Sequence, residues 1–128
     1  MKRAMQEDRN QLQGMWTFAS LEVEGNTIPQ QAIGTSSMAI DGNTFVNSSP
    51  AAIYSGTFRL GLAGSTRTID IGFTEGPEAG RTILGIYELD GDTWTMCLNL
   101  APRKPRPMEF AAPVGSGRAL ETLVRKGR

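Results

Sequence analysis

The chain has 128 residues, which suits one domain of ordinary size, and its thirteen basic residues balance thirteen acidic ones. A neutral chain without a basic stripe excludes the electrostatic footprint of a nucleic-acid-binding protein, and no apolar run approaches the ~20 residues of a membrane-spanning helix. The single cysteine excludes an intrachain disulfide, and the lack of histidine removes the commonest general base and zinc ligand, so we expect no metal or other cofactor.

The first ten residues, MKRAMQEDRN, are polar and weakly helical. They have the basic start of a secretion signal but lack the apolar stretch that follows it in such signals. Two localisations therefore stay open: the protein is cytoplasmic, or it is exported and its leader has been removed. We expect residues 1–10 to form an extension, with a short helix near 4–12, and residues 11–126 to form a single domain.

After this extension, the sequence predicts short β-strands separated by turn residues. Alternation is clearest in TRTIDIGF, where Ile69 and Ile71 share one face and Thr68 and Asp70 the other. The same pattern in DTWTMCLN indicates one buried face and one solvated face. The predicted strands are 15–24, 36–41, 43–48, 52–60, 66–73, 81–89, 92–99 and 118–125.

Turn residues between these strands indicate how they connect. IDGNTF and LDGDTW each place Asp-Gly between apolar runs, and Asp-Gly supplies the positive φ angles that tight hairpins need. The connection 25–34 is too long for a hairpin, and we predict a helical turn over 28–33, with Thr27 and Gln30 as a capping box and Gly34 as the C-cap. Together the strands predict an all-β fold, an eight-stranded antiparallel up-and-down barrel.

A tryptophan stands at the start of the first strand, in LQGMWTFASLEVEG. Gly14 and Trp16 form a Gly-x-Trp motif there, and LETLVRK places Arg125 at the end of the last strand. This arrangement resembles the lipocalin, or calycin, superfamily, in which the Trp closes the narrow end of the barrel and the Arg packs on its ring. The resemblance implies a lipocalin-like barrel closed by Gly14, Trp16 and Arg125, with ~0.5–2 kcal/mol from the guanidinium over the indole.

A narrower resemblance covers about residues 11–126. LQGMWTFASLEVEGNTIP, IDIGFTEGPEAGRTILGIYELDGDTWTMCL and RPMEFAAPVGSGRALETLVRK are similar, in this order, to a lipocalin-like bacterial domain family abundant in planctomycetes. That family has Thr where this chain has Met15 and Met108, so a role for the second hydroxyl does not transfer. The family has no settled biochemical function. The resemblance implies the fold and the superfamily's habit of binding small, mostly apolar molecules inside the barrel.

Inward-facing side chains would line any cavity of such a barrel. An eight-stranded barrel is either filled by its own side chains or leaves room for one small ligand, and composition does not decide between the two. The candidate ligand-binding residues are Met38, Tyr54, Phe58, Arg59, Arg67, Ile69, Ile71, Tyr87, Trp94 and Met96. Arg59 and Arg67 lie near strand ends, where they either meet a ligand carboxylate at the barrel mouth or extend outward to solvent.

Three further groups carry charged or reactive side chains. Carboxylates around the 73–81 connection either hold a hard cation, do acid–base work or belong to a solvated surface: Asp70, Glu75, Glu78 and Glu88. Cys97 has no histidine to activate it and is interpreted as a packing residue. PRKPRP, at 102–107, either docks an acidic partner or forms a stiff, solvated loop.

Three functions stay open at this point. The first is a non-enzymatic barrel that binds a small apolar ligand, such as a fatty acid, with access opposite Trp16 under the 26–35 segment. The second is a filled-core protein-interaction domain that uses an outer face or the 101–112 loop. The third is an isomerase or cyclase that uses Arg, Tyr or a buried acid. A cavity of roughly 300 Å³ or more would favour the first, a solid interior the second, and a buried polar group with a perturbed pKa the third.

Overall fold

The computed structural model describes residues 2–101 and 104–126 and shows a closed, antiparallel, up-and-down β-barrel. The long strands follow one another around the wall in chain order, and the pairing of β1 with β9 closes the wall. The elements are α1 (Lys2–Leu12), β1 (Gly14–Val23), β2 (Asn26–Thr27), α2 (Gln30–Ile33), β3 (Ser37–Asp41), β4 (Thr44–Ser48), β5 (Ile53–Ala63), β6 (Thr66–Glu75), β7 (Thr82–Asp90), β8 (Thr93–Asn99) and β9 (Arg118–Arg125). Because β2 only adds a two-residue hairpin to the end of β1, eight strands form the barrel, and the predicted lipocalin-like architecture is confirmed.

Tight hairpins join the strands at the end of the barrel where Trp16 lies. Gly42 and Gly91 are the first central residues of two-residue turns and have φ angles of +63° and +60°, as type II′ hairpins require. A third such turn, with Gly64 at φ +63°, joins β5 to β6. Its AGST sequence lacks the Asp-Gly signal, so the predicted fifth run ends at residue 60, whereas β5 continues to Ala63. At the other end of the barrel β6 extends to Glu75, two residues beyond the predicted sixth run.

Trp16 plugs this end, which we call the closed end. Its side chain is fully buried, and its Nε1 donates a hydrogen bond of 2.8 Å to the carbonyl of Leu12. The guanidinium carbon of Arg125 lies 4.4 Å from the centre of the Trp16 ring, and Arg125 Nη1 donates to the Gln13 carbonyl at 2.9 Å. Gly14 has φ +117°, which favours glycine, and a Cβ there would lie 3.6 Å from Arg125. The packing of Arg125 on the Trp16 ring is the contact that the resemblance to lipocalins implies.

A β-bulge in β1 keeps the inner face of that strand apolar. Pairing with β9 shifts register between Phe18 and Ser20, so that Phe18 pairs with Leu123 and Leu21 with Glu121. Three positions apart, Phe18 and Leu21 would face opposite sides of a regular strand. The extra residue of the bulge lets both contribute to the core.

Helix α2 lies at the opposite end, between the end of the β1–β2 hairpin and the start of β3. Ile33 of α2 belongs to the core, and Ile28 packs against it. The helix begins at Gln30, and the predicted capping box is wrong because Thr27 pairs with Glu22 in β2 and no side chain caps the helix. Gly34 is the C-cap, and its N–H donates to the Gln30 carbonyl at 2.7 Å.

Helix α1 packs against the barrel near the closed end. Leu12 is fully buried in the core, and the buried Asp8 accepts hydrogen bonds from Tyr87 Oη at 2.6 Å and Arg67 Nε at 2.7 Å. The predicted boundary between residues 10 and 11 therefore falls inside a helix that contacts the barrel on both sides of it. Neither described helix has the length and apolar character needed to cross a membrane.

The segment 104–117 covers part of the outer wall. Ile86 of β7 pairs with Cys97 of β8 on the outer face, and both are almost fully buried. The segment supplies the buried Pro107 and Ala112, and the Ala111 carbonyl accepts a 3.4 Å hydrogen bond from Cys97 Sγ. The prediction that this face of β8 is solvated is therefore wrong, because a connection distant in sequence folds over it.

Replacing the plug should weaken the whole fold. We expect Trp16→Ala to lower the free energy of unfolding by ~3–5 kcal/mol, as truncation of a large buried aromatic side chain does. Arg125→Ala should cost less, because a guanidinium over an indole contributes ~0.5–2 kcal/mol. Urea unfolding of both variants measures these effects, and an unchanged midpoint for Trp16→Ala would contradict the assigned role.

Cys97 should be protected from thiol reagents in the folded protein. The side chain is fully buried, and burial raises the pKa of its thiol, so little reactive thiolate is accessible. We expect a chromogenic disulfide reagent to label Cys97 only after denaturant is added. Labelling of the native protein as fast as that of a free thiol would show that the 104–117 segment does not cover this position.

Candidate functional site

A small cavity remains inside the barrel. Its volume is about 60 Å³, enough for a few water molecules, since one water needs roughly 10–15 Å³. It is far smaller than the ~300–1,000 Å³ of pockets for drug-sized ligands. The apolar lining consists of Met38, Ile40, Phe45, Phe58, Ile69, Ile71, Phe73, Trp94, Met96 and Leu98, and the polar lining of Asn47 and Glu121. The interior is thus mostly filled, with a residual space next to two polar side chains.

Glu121 brings a carboxyl group to this cavity from β9. It pairs with Leu21 of β1 and Met96 of β8, both of which face inward with it. The carboxyl has neither a hydrogen-bond donor nor a cation as a partner among the described residues. Burial in apolar surroundings disfavours the charged form and raises the pKa of Glu121 from its ordinary value near 4.5 to about 7.

Two more polar groups of the lining have no partner within the described ranges. Asn47 of β4 pairs with Met38 and Tyr54, and its side-chain amide makes no hydrogen bond there. Trp94 packs edge-on against Trp16, with ring centres 5.4 Å apart, and its buried Nε1 also lacks an acceptor. A fully buried polar group left unpaired, such as Trp94 Nε1, costs ~1–3 kcal/mol; Asn47 is only partly buried. The fold itself does not use the hydrogen-bonding capacity of these groups.

The structure brings six of the ten predicted ligand-binding residues to the cavity wall. They are Met38, Phe58, Ile69, Ile71, Trp94 and Met96. All six lie on the inner faces of their strands, where period-two alternation places them. Their role in binding stays a prediction.

Tyr87 and Arg67 lie elsewhere, in a cluster at the closed end. Both donate to Asp8 Oδ2, and Tyr87 is almost fully buried. Burial, and then the hydrogen bond to Asp8, raise the pKa of Tyr87 well above its ordinary value, while the bond to Asp8 raises the pKa of Arg67. Arg67 does not lie at the mouth, one of the two positions left open for it, because the start of β6 is at the opposite end of the barrel.

Tyr54 and Arg59 are also outside the cavity lining. Tyr54 is half-buried and packs on Phe73, with ring centres 6.2 Å apart. Arg59 is exposed on the outer wall, next to a surface groove of about 770 Å³ between α1 and the β5–β6 pair. Its side chain extends outward, which is the second of the two alternatives considered for it.

Glu121 and Asn47 are the lining residues that sequence reasoning missed. Arg125 packs on Trp16, and counting back in steps of two from Arg125 reaches Leu123 and then Glu121 on the inner face. The same step from the buried Phe45 reaches Asn47. Alternation along the strands therefore predicts that Glu121 and Asn47 face inward. Glu and Asn side chains are usually exposed, however, so residue type does not suggest them as lining residues.

The candidate carboxylates do not form a cation site. Asp70 Oδ1 lies 2.7 Å from Arg106 Nη2, and Glu78 pairs with Arg81. Glu75 and Glu88 are exposed, so the four carboxylates lie in separate environments. In the described ranges, no three His, Cys, Asp or Glu side chains come together.

The basic segment 102–107 is described only from residue 104 onward, so the prediction for residues 102 and 103 lies outside the described residues. Arg106 donates to the carbonyls of Ile69 at 3.3 Å and Gly85 at 2.9 Å, besides its ion pair with Asp70. Its charge is therefore directed at the barrel wall. Pro107 is fully buried, so this part of the segment is docked rather than solvated.

Comparison with known proteins adds no family. No family model, curated protein or solved structure matches the chain. The resemblance to the lipocalin-like bacterial domain family stays a prediction.

Neutralising Glu121 should change how stability depends on pH. Between about pH 4.5 and 7 the native protein keeps a proton that the unfolded chain has lost, so its free energy of unfolding falls as the pH rises. At ~1.4 kcal/mol per pH unit, the loss is roughly 3 kcal/mol above pH 7. We expect Glu121→Gln to lack this loss and to gain stability relative to the wild type across that range.

Urea unfolding at about pH 4.5, 6 and 8 measures the effect. Glu88→Gln is the matched control, because Glu88 is exposed on β7. Parallel pH profiles for the wild type and Glu121→Gln would contradict a buried, unpaired carboxyl.

Proposed function

We propose that the protein is a non-enzymatic barrel that binds one small, compact and largely apolar molecule in its interior. The observation that carries this proposal is that Glu121 and Asn47 line an otherwise apolar cavity without hydrogen-bond partners among the described residues. Both side chains are partly buried, and the fully buried Trp94 Nε1 of the same lining also lacks an acceptor. Native proteins pair most such groups with protein, water or a ligand. A ligand with one polar group would supply the missing hydrogen bonds, and its apolar part would contact the remaining wall.

The size of the cavity limits the ligand. An apolar cavity of ~150 Å³ takes benzene, with its six non-hydrogen atoms, so about 60 Å³ takes roughly two or three such atoms. Met38 and Met96 line the cavity, and the flexible methionine side chain adapts to irregular space, which extends the limit to about four. The expected fatty acids are therefore too large for the interior as it stands.

The same size limits the affinity. Very small ligands gain at most ~1.5 kcal/mol per non-hydrogen atom, so a four-atom ligand reaches roughly 6 kcal/mol. This corresponds to a Kd of about 40 μM at best. Binding experiments consequently have to extend to millimolar ligand.

Helix α2 covers the end of the barrel opposite Trp16, and we expect a ligand to enter there when this helix moves aside. It has four residues and no side-chain cap, and it rests on the core through Ile33 and Ile28. Such a short helix has little stability of its own and can open without breaking the β1–β9 closure. The resemblance to lipocalins supports access at this end.

A filled-core interaction domain is the second candidate, and the small cavity favours it. The outer faces of β1, β3, β4 and β5 share a row of uncharged residues in register: Met15, Ala39, Val46 and Ser55. Glu121 also meets the requirement of the enzyme alternative, since a pKa of about 7 suits acid–base chemistry. Interior binding is the alternative that accounts for the unpaired side chains of both Glu121 and Asn47.

Methionine methyl NMR tests interior binding directly. We expect a panel of alcohols, amines and amides with two to five non-hydrogen atoms, titrated to ~50 mM, to include compounds that shift the Met38 and Met96 signals saturably. Met15 and Met108 are 40% and 58% exposed outside the barrel and serve as internal controls. If no compound shifts Met38 or Met96 more than these controls, the interaction domain becomes the better proposal.

A further inference from the structure

The surroundings of Glu121 restrict what its carboxyl can bind. Its strand neighbours place Leu21 and Met96 beside it, and the rest of the cavity wall is apolar except for Asn47. No charged or titratable side chain of the described residues faces it from these elements. Cys97 is close in sequence to Met96, but it lies on the outer face of β8, and its pKa is raised chiefly by its own burial.

A buried carboxyl can be stabilised by keeping its proton or by pairing with a cation. A lone carboxylate in apolar surroundings is costly, whereas an ion pair is neutral as a whole and suits an apolar wall better. Hydrogen bonds between ammonium and carboxylate are roughly twice as strong as those between neutral groups. The cavity contains the anionic half of such a pair without the cationic half.

The other lining residues also suit a cation. The side-chain oxygen of Asn47 can accept a hydrogen bond from a second N–H of the same ammonium group, since its amide has no partner in the described part of the chain. Trp94, Phe45 and Phe58 contribute aromatic rings to the wall, and aromatic faces attract cations within ~6 Å. Met38 and Met96 offer apolar, adaptable surface to a short alkyl chain.

We propose that this cavity binds a short-chain primary ammonium ion, no larger than propylammonium, which donates to the Glu121 carboxylate and to Asn47 Oδ1. This inference rests on the proposed interior binding and adds the chemical class of the ligand. The alkyl chain lies against the methionine side chains. No covalent step is involved.

The pH dependence of binding follows from this arrangement. The ammonium ion pairs with the ionised carboxylate, so below about pH 7 it has to displace the proton that the raised pKa of Glu121 retains. Affinity therefore falls about tenfold from pH 8 to pH 6. It stays high above pH 8 until the amine itself loses its proton near ~10. A neutral alcohol that bonds to the protonated carboxyl shows the opposite trend.

Propylammonium chloride and 1-propanol, which have the same size, are the probes for the test. Titrations of the Met38 and Met96 methyl signals at pH 6 and 8 should show propylammonium binding about tenfold more tightly at pH 8. Glu121→Gln should weaken propylammonium binding at pH 8 at least tenfold. At pH 6, where the wild-type carboxyl is mostly protonated, it should change 1-propanol binding less than twofold. Glu88→Gln, the exposed control, should bind both probes as the wild type does.

A second measurement needs no variant. Carboxyl ¹³C titration of Glu121 in the wild-type protein should show that saturating propylammonium lowers the pKa of this group, since a bound cation favours its ionised form. An unmoved pKa, or 1-propanol binding as tightly as propylammonium at pH 8, overturns the ammonium inference and leaves interior binding intact. If neither probe shifts Met38 or Met96, and no other compound of the panel does, both proposals fail.

Discussion

The contact of the Arg125 guanidinium with the Trp16 ring is the interaction on which the rest of the barrel depends. It joins the first long strand to the last, and the same guanidinium donates to the carbonyls of Gln13 and Gln11, where α1 leads into the barrel. This contact lies at the first paired position of the β1–β9 ladder, where Trp16 is directly opposite Arg125. The register of that ladder determines which residues of β9 face inward, and so places Glu121 inside the barrel.

The architecture could be predicted because it depends on local signals. Period-two alternation and glycine turns are properties of a few adjacent residues, and they located all eight barrel strands. The failures came from contacts that these patterns do not specify: Thr27 pairs with Glu22 in a local hairpin instead of capping α2, and the 104–117 segment buries Cys97 on a face that alternation alone assigns to solvent. Alternation assigns a residue to one face of a strand, but does not tell whether another part of the chain covers that face.

The site was less predictable than the fold, for physical reasons. The volume of the cavity depends on how neighbouring side chains interlock, and protein interiors are packed so densely that a change of one methylene group matters. Residue type alone does not identify a partner: a position near a strand end makes Arg67 a candidate ligand contact, but its partner Asp8 lies 59 residues away on α1. Glutamate is usually exposed, so residue type predicts that the Glu121 side chain points to solvent. The register of β9 instead places it inside the barrel.

Closing the barrel has a consequence for how the chain reaches this structure. Trp16 and Arg125 pair across nearly the whole sequence, and such distant contacts form late because chain entropy must be lost before they contribute. Until then β1 and β9 are the two free edges of an open sheet, with unpaired N–H and C=O groups along each. The same two edges complement each other in any second copy of the chain. Closure within one chain therefore competes with exchange of β1 or β9 between two chains. Exchange re-forms the same Arg125 contacts, so what favours the single-chain outcome is the high effective concentration of two strands on one chain.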